Sequence, residues 1–332
     1  MGPRRVLVLL SAVLLLVLAP STASAHHPSP DREPQLLASG LSGGFGSTIG
    51  PDGALYVTEP SVGEISRIDP RTGEVTTFAS GLPTNVSING AFGGAFDVAF
   101  VGGTAYALVT FVSEDVGGTF PDGIYRIDGP STATLVVDIG TWAAAHPPTT
   151  SFFVPTGVQY AFEPYKGGFL VTDGHHNRVY RVGLDGSIAV QIAFGNIVPT
   201  GLAVDGRTVF LAQAGPVPHL PQDGKVVVFG PWSTTATTVA SGAPLMVDVE
   251  LGRGHQLYAL AQGVWPLGGP EGSPAAPETG QLLKVGRHGA LEVVADALDQ
   301  PVSFQVIRGT AYVVTLGGEV WTVDLDGRHG HR

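Results

Sequence analysis

Short runs of alternating apolar and polar residues, separated by tight turns rich in glycine and aspartate, recur along this chain. The clearest copy spans residues 46–82, where GPDGALYVTE, GEISRID and EVTTFASGL follow one another. Within ALYVTE, the side chains of Leu55 and Val57 point to one face and that of Tyr56 to the other, as in a β-strand. The Asp-Gly and Gly-Gly pairs between runs supply the positive φ angles that hairpin turns require. The pattern therefore predicts an all-β protein of short antiparallel strands.

This strand pattern returns six times. Aligned second strands place six equivalent positions at intervals of 40 to 64 residues: Tyr56, Tyr106, Leu170, Phe210, Tyr258 and Tyr312. Four strands at this period predict a six-bladed β-propeller with four-stranded antiparallel blades. The sixth copy ends near Leu325 without a fourth strand, whereas residues 35–41 (QLLASGL) resemble the fourth strand of the first copy (FASGL). We therefore predict that residues 35–41 join the last blade and close the ring.

The N-terminal segment 1–25 has the organisation of a signal peptide. Arg4 and Arg5 precede an apolar run at 6–18, and Ala23-Ser24-Ala25 forms a cleavage site. Since the run is too short to span a bilayer, we predict a secreted, extracytoplasmic bacterial protein without a membrane span. The paired arginines leave both the general secretory and the twin-arginine route open. Residues 26–34 and 327–332 are predicted to be tails around a single domain, 35–326.

The charge and the absence of cysteine narrow the classes of partner and of stabilisation. The formal net charge is −11 for all 332 residues, and it becomes −13 without the two arginines of the leader. An acidic surface argues against nucleic acid as a partner. The chain contains no cysteine, so an exported fold would be held together by packing rather than by disulfides.

The lengths of the connections predict a functional face. In an antiparallel blade, the connections between second and third strands and between successive blades emerge on the same side. The five long connections are all of these kinds: 83–93, 111–122, 141–154, 214–223 and 262–279. Because binding residues usually sit on loops carried by a rigid scaffold, we predict the site on this loop-rich face.

Two aspartates interrupt an otherwise small-residue position. The aligned starts of the first strands read Gly46, Asp97, Gly157, Gly201, Asp248 and Ser303. Carboxylates at the mouth of the central channel would attract a cation or a ligand. The same two carboxylates could instead accept hydrogen bonds from neighbouring backbone amides and tie the blades together.

Further candidates lie at strand ends and in the long loops. Asp173 precedes His175 and His176, two adjacent histidines that could bind a metal, act as acid or base, or form a solvated turn. Trp142 and Trp265 lie in proline-rich loops that suit a sugar, a ring system or a peptide, or that cap the channel. The predicted ligand-binding set, with no catalytic residue assigned and metal ligands unknown, is Asp97, Asp173, His175, Gln213, Asp248, Trp142 and Trp265.

Three segments carry a resemblance to a known family. VPTGLAV (198–204), TDGHHNRVYRV (172–182) and FDVAF (96–100) resemble the ScyD/ScyE family of secreted bacterial proteins, over roughly residues 34–325. This resemblance implies export and an NHL-like propeller, and it implies no particular reaction.

The repeats are also similar, more distantly, to gluconolactonase-type propellers, which hold a central calcium with a Glu, two Asn and an Asp. One of those asparagines lies between Pro and Gly, where this chain has Thr156 and Thr200. A threonine hydroxyl is a poorer calcium ligand than an amide carbonyl.

Three functional hypotheses follow. The first is a non-enzymatic ligand-binding or interaction scaffold that uses the loop-rich face, with an unknown small molecule or a cell-envelope protein as its partner. The alternative is a metal-dependent hydrolase or lactonase using the same face. The third is a cell-envelope interaction protein with no small-molecule site. We expect a monomer without a cofactor, calcium being the candidate if one is bound.

Overall fold

The computed structural model describes residues 33–86, 92–270 and 272–327. The predicted signal peptide at 1–25, residues 26–32 of the N-terminal tail and residues 328–332 of the C-terminal tail lie outside this range. The described chain forms six antiparallel sheets that are arranged as the blades of a propeller, which confirms the predicted fold class.

The strands follow the chain from the channel outward in each blade, with two exceptions. The first strand, β1 (Gln35–Ala38), belongs to the last blade, and a short strand at Asn85–Val86 pairs with Phe92 and Gly93 in the connection between blades 1 and 2. Blades 1 and 2 contain β2 (Ser47–Ile49), β3 (Leu55–Glu59), β4 (Glu64–Ile68) and β5 (Val75–Ala79), then β6 (Asn85–Val86), β7 (Phe92–Val101), β8 (Thr104–Thr110), β9 (Gly123–Gly129) and β10 (Thr132–Asp138). Blades 3 and 4 contain β11 (Gln159–Tyr165), β12 (Gly168–Asp173), β13 (Arg178–Gly183) and β14 (Ile188–Ala193), then β15 (Pro199–Asp205), β16 (Thr208–Gln213), β17 (Gly224–Phe229) and β18 (Thr237–Ala243). Blades 5 and 6 contain β19 (Met246–Leu251), β20 (Leu257–Ala261), β21 (Gly280–Val285) and β22 (Leu291–Leu298), then β23 (Pro301–Ile307), β24 (Thr310–Thr315), β25 (Val320–Asp324) and β1.

The ring closes as the sequence predicts. β1 pairs antiparallel with β25, with Gln35 opposite Thr322. Beyond the strand, the amide of Leu41 donates to the carbonyl of Gly318 at 3.2 Å. Ala38 and Leu41 are buried in the apolar cluster between blades 6 and 1, so the closing segment contributes packing as well as pairing.

The core lies between blades rather than in one central mass. Each of the six blade interfaces is filled by its own apolar cluster. Between blades 2 and 3, for example, the rings of Phe162 and Phe169 lie 4.7 Å apart and pack on Tyr106 and Leu108. Because the inner strands stand side by side around the axis, every blade contributes residues to a shared central channel.

The two faces differ as the connection lengths predict. The loop-rich face also carries the helix α1 (Ile139–Ala145), whose first turn is capped by Asp138 accepting from the Thr141 amide at 2.8 Å. No helix of the described residues is long and apolar enough to cross a membrane. The opposite face consists of short turns and is called the turn-rich face below.

Candidate functional site

Three of the long loops are hydrogen-bonded into one surface, which we call the loop platform (residues 83–86, 92–93, 111–122 and 141–156). The side-chain amide of Asn85 donates to the backbone carbonyls of Phe111 and Val116 at 3.2 and 3.3 Å. The Thr156 amide donates to the Asp115 carboxylate at 3.0 Å. These bonds join segments that are 26 to 41 residues apart in sequence, so the loops form one shaped surface.

The loop platform exposes large apolar side chains. Of the fourteen large apolar side chains that the described residues leave exposed, eight lie on the loop-rich face: Val62, Val86, Phe92, Phe120, Phe152, Phe153, Val264 and Leu267. All four exposed phenylalanines of this set belong to the platform, and Phe153 is 67% exposed. Large exposed apolar side chains that are concentrated on one surface mark interaction sites more often than scattered ones do.

Asp173 is the centre of a buried polar network in blade 3. It is 0% exposed, and its Oδ1 accepts from the amides of Val158 and His176 at 3.1 and 2.9 Å. Its Oδ2 accepts from the Tyr180 hydroxyl at 2.6 Å, and Arg178 Nε donates to that hydroxyl at 2.8 Å. The Asp173 carboxylate therefore stabilises the buried Arg178 guanidinium through the Tyr180 hydroxyl. Both carboxylate oxygens of Asp173 are hydrogen-bonded within the protein, without a ligand.

The adjacent histidines fasten the platform to blade 3. His175 Nε2 accepts from the amides of Phe153 and Val154 at 2.9 and 3.0 Å. His176 Nδ1 accepts from Arg178 Nη2 at 2.9 Å, which leaves its Nε2–H to donate to the Val154 carbonyl at 3.0 Å. Burial lowers the pKa of both imidazoles, in keeping with neutral rings that accept these bonds. The pair is neither a solvated turn nor convergent on one point; it holds residues 153–154.

The two tryptophans differ in accessibility. Trp142 is half-buried, and its ring stacks on that of His146 at 4.1 Å. Trp265 is only 4% exposed and donates through Nε1 to the Ser273 carbonyl at 3.1 Å, so it forms the core of its own loop. Gln213 is also buried, at the end of β16. A ligand on the loop-rich face would contact Trp142 but not the buried Trp265 or Gln213.

Asp97 and Asp248 occupy equivalent places half a turn apart in the ring. Asp97 Oδ1 accepts from the Val98 amide at 2.8 Å, and its Oδ2 from Phe162 in the next blade at 2.9 Å. Asp248 repeats this arrangement with the amides of Val249 and Phe304, both at 2.9 Å. The geometry is that of blade-to-blade ties, the second of the two interpretations of these carboxylates.

In the blade before each aspartate, the inner strand has a glycine at the equivalent position, because the aspartate carboxylate of the next blade lies too close for a side chain. A Cβ on Gly46 would collide with the Asp97 carboxylate, and one on Gly201 with that of Asp248. In blade 3 the sequence alignment is wrong: Glu163 pairs with Leu170, so Ala161 stands at this level, and Gly157 precedes the first residue of β11.

A second pair of channel carboxylates was missed by the sequence analysis. Opposite the six aligned second-strand positions, the inner strands present Thr48, Ala99, Glu163, Ala203, Glu250 and Gln305. Glu163 and Glu250 are the charged residues among these six. This level of the channel lies two residues along the inner strands from Asp97 and Asp248, towards the turn-rich face. Reading the first strands across from the aligned tyrosines would have found them.

Burial raises the pKa of each channel carboxyl. The pKa of Glu163 rises to about 8, with the Asp248 charge as a further cause, and that of Asp248 to about 7. The pKa of Glu250 rises well above its usual range through burial and through the charges of Asp248 and Glu163. These groups are close enough to disfavour one another's charged forms.

The raised pKa of Glu163 predicts a pH-dependent stability. Its folded pKa of about 8 exceeds the usual 4.5, so the folded state binds more protons than the unfolded state between these values. The contribution of Glu163 to the free energy of unfolding is therefore largest below about pH 4.5, and it is lost as the pH rises towards 8. We expect Glu163→Gln to raise the melting temperature at pH 8 and to change it little at pH 5. Thermal melts across this range check the sign, and a variant that melts lower at pH 8 would contradict it.

The residues that the lactonase hypothesis requires do not fit a calcium ion. Both carboxylates nearest the mouth are engaged by backbone amides, and the Thr200 hydroxyl donates to the Met246 carbonyl at 2.9 Å. Among the described residues, no three His, Asp or Glu side chains are grouped so that they could hold a metal ion. No reaction step through calcium is therefore derived.

Comparisons with known proteins show the fold. No protein-family model matches this chain, and no curated protein matches its sequence. Its structure is similar to a putative oxidoreductase (glucose dehydrogenase) from Thermus thermophilus, with a TM-score of 0.61 and 17% identity over 87% of this chain and 98% of that one. It is also similar to a gluconolactonase from Xanthomonas campestris (TM-score 0.56, 13% identity, 88% and 89% covered) and to virginiamycin B lyase from Staphylococcus aureus (0.54, 13%, 88% and 98%). The shared feature is the β-propeller fold.

Proposed function

We propose that this protein is an exported interaction scaffold, similar to the ScyD/ScyE proteins, whose loop platform binds a cell-envelope protein. The observation that carries the proposal is the group of four exposed phenylalanines on loops that are hydrogen-bonded to one another. Leaving such residues in water is unfavourable, and covering them with a partner would recover about 25 cal/mol for each Å² of apolar surface buried.

The shape of the face favours a protein over a small molecule. At the loop-rich end of the channel, the rings of Phe45 and Phe96 lie 4.3 Å apart, and Phe45 also contacts Tyr160 at 5.4 Å. The cavity behind them is about 20 Å³, enough for one water molecule. Five of the eight exposed large apolar side chains of this face lie on the platform, where a protein surface can cover several loops at once.

Site-specific photo-cross-linking in the producing cells tests this proposal. A benzophenone side chain at position 153 would replace the 67%-exposed Phe153, and one at position 232 would replace Trp232, which is 77% exposed on a turn of the opposite face. We expect adducts of discrete mass from position 153 and none from position 232.

The matched positions make the outcomes decisive. Equal labelling at both, or none at either, would count against a platform-specific partner. An adduct of twice the chain's mass would show self-association and replace the proposed partner. Combining Phe92→Ser with Phe120→Ser should reduce cross-linking from position 153, because these changes remove two of the platform's four exposed phenylalanines without touching the buried network.

A further inference from the structure

The channel opens on the turn-rich face into a cavity of about 240 Å³, far larger than the 20 Å³ behind the aromatic rings at the other end. We call this cavity the vestibule; its lining includes Thr48, Glu163, Val204, Glu250, Leu251 and Gln305. Val204 and Leu251 lie at the ends of inner strands β15 and β19, just before the turns of that face. A ligand would therefore enter from the side opposite the loop platform.

The vestibule is acidic, and none of the described residues that line it is a lysine or an arginine. Glu163 and Glu250 line both the vestibule and the narrower cavity above it, which also contains Asp97 and Asp248. No lysine or arginine is among the described residues that line either space. Glu163 and Glu250 are only partly exposed, and carboxylates that have lost part of their hydration favour a nearby cation or hydrogen-bond donors.

Glu250 is fixed by hydrogen bonds, whereas one hydroxyl along the channel, that of Tyr160, has no partner among the described residues. Gln305 Nε2 donates to Glu250 Oε1 at 2.8 Å and to the Ser47 carbonyl at 3.0 Å, which fixes this carboxylate at the channel wall. The hydroxyl of Tyr160 lines the narrower cavity above the vestibule, near Asp97 and Asp248, is buried, and has no hydrogen-bond partner among the described residues. A buried hydroxyl of this kind calls for a water molecule or a ligand group as its partner.

We propose that the vestibule binds a small primary alkylammonium ion, with its ammonium group between Glu163 and Glu250 and its alkyl chain against Val204 and Leu251. An ammonium group has three donors to share between two carboxylates, and the apolar side chains at the opening accept methylene groups. The carboxylates are not grouped for the short, convergent oxygen contacts of a divalent metal, so an organic cation fits better.

This site is independent of the loop platform, and its test is a direct binding experiment. Calorimetric titration at about pH 8.5 uses n-butylammonium chloride, with n-butanol and calcium chloride as separate probes. We expect heat of binding from the ammonium alone. Affinity should fall as the pH is lowered from 8.5 to 6, by about tenfold per unit for each proton displaced, because the cation must compete with protons on Glu163, Glu250 and Asp248.

Paired variants locate the binding. Glu163→Gln and Glu250→Gln should each weaken butylammonium binding about tenfold or more, since each removes a charge-assisted hydrogen bond. Glu74→Gln removes an exposed carboxylate in a turn of the same face and should leave the affinity unchanged. Thermal melts confirm that each variant is folded.

Three results would overturn the proposal: butylammonium binding that is absent, equal binding of butanol, or binding that survives both vestibule substitutions. Calcium binding that depends on Glu163 and Glu250 in place of the amine would assign the vestibule to a metal instead. Failure of this test leaves the cross-linking result at position 153 unaffected, because that experiment reports on the opposite face.

Discussion

A chain that begins at Gly43 should be strongly destabilised relative to one that begins at Glu33. The missing segment contains β1, its ladder to β25, and the side chains of Ala38 and Leu41 that pack between blades 6 and 1. Losing this apolar burial should lower the free energy of unfolding by about 3 kcal/mol or more. For a domain of this size, the melting temperature should then fall by about 10 °C.

The effect should exceed the simple loss of contacts, because removal of β1 also leaves β25 as an exposed strand edge. Such edges pair with other chains, so the shorter protein should aggregate at concentrations where the longer one stays monodisperse. Differential scanning calorimetry and light scattering measure the two effects. A protein starting at Gly43 that melts and scatters like its longer counterpart would show that the ring does not depend on this strand.

Asp173→Ala should be the most damaging single substitution among the predicted site residues. It removes the acceptor for two backbone amides and for the Tyr180 hydroxyl, and it leaves the buried Arg178 uncompensated. Breaking a buried pair from one side typically costs about 3–5 kcal/mol. Chemical denaturation measures this loss directly.

Two companion variants separate the electrostatic cause from general damage. Asp185→Ala, in an exposed turn of the same blade, should have a small effect. Adding Arg178→Met to Asp173→Ala should recover part of the loss, because the unpaired charge is then removed. Arg178 Nη1 donates to the His146 carbonyl at 2.7 Å, so displacement of Arg178 in Asp173→Ala should loosen the platform around His146. We therefore expect acrylamide to quench Trp142 more strongly in Asp173→Ala than in the unsubstituted protein. An Asp173→Ala protein as stable as Asp185→Ala would refute the assigned role.

The candidate site was predictable from the sequence only in part. Asp97 and Asp248 stand out because aligned repeats place small residues at their positions, and this comparison needs no structure. Their hydrogen bonds to the next blade were one of two alternatives, and the sequence could not choose between them. Glu163 and Glu250 were overlooked because only the starts of the first strands were compared, whereas these two residues lie farther along, opposite Leu170 and Tyr258.

Accessibility was the least predictable property. Trp265 lies in a proline-rich loop, as an exposed ligand contact would, yet the loop folds around it and buries it. His175 and His176 are adjacent like the members of a metal site, but each ring bonds to residues 153–154, more than twenty positions away. Such contacts depend on how a long loop returns to the scaffold, and no local pattern records that path.

The sequence by itself determined the six blades, the closing role of residues 35–41 and the face that carries the long loops. These properties follow from two-residue alternation, turn residues and repeat length, which are local and recur six times. Only the tertiary structure decided which polar groups are satisfied and which meet in the channel. Glu163 and Glu250 are distant in sequence and share one cavity because the propeller brings an inner strand of every blade to the same axis.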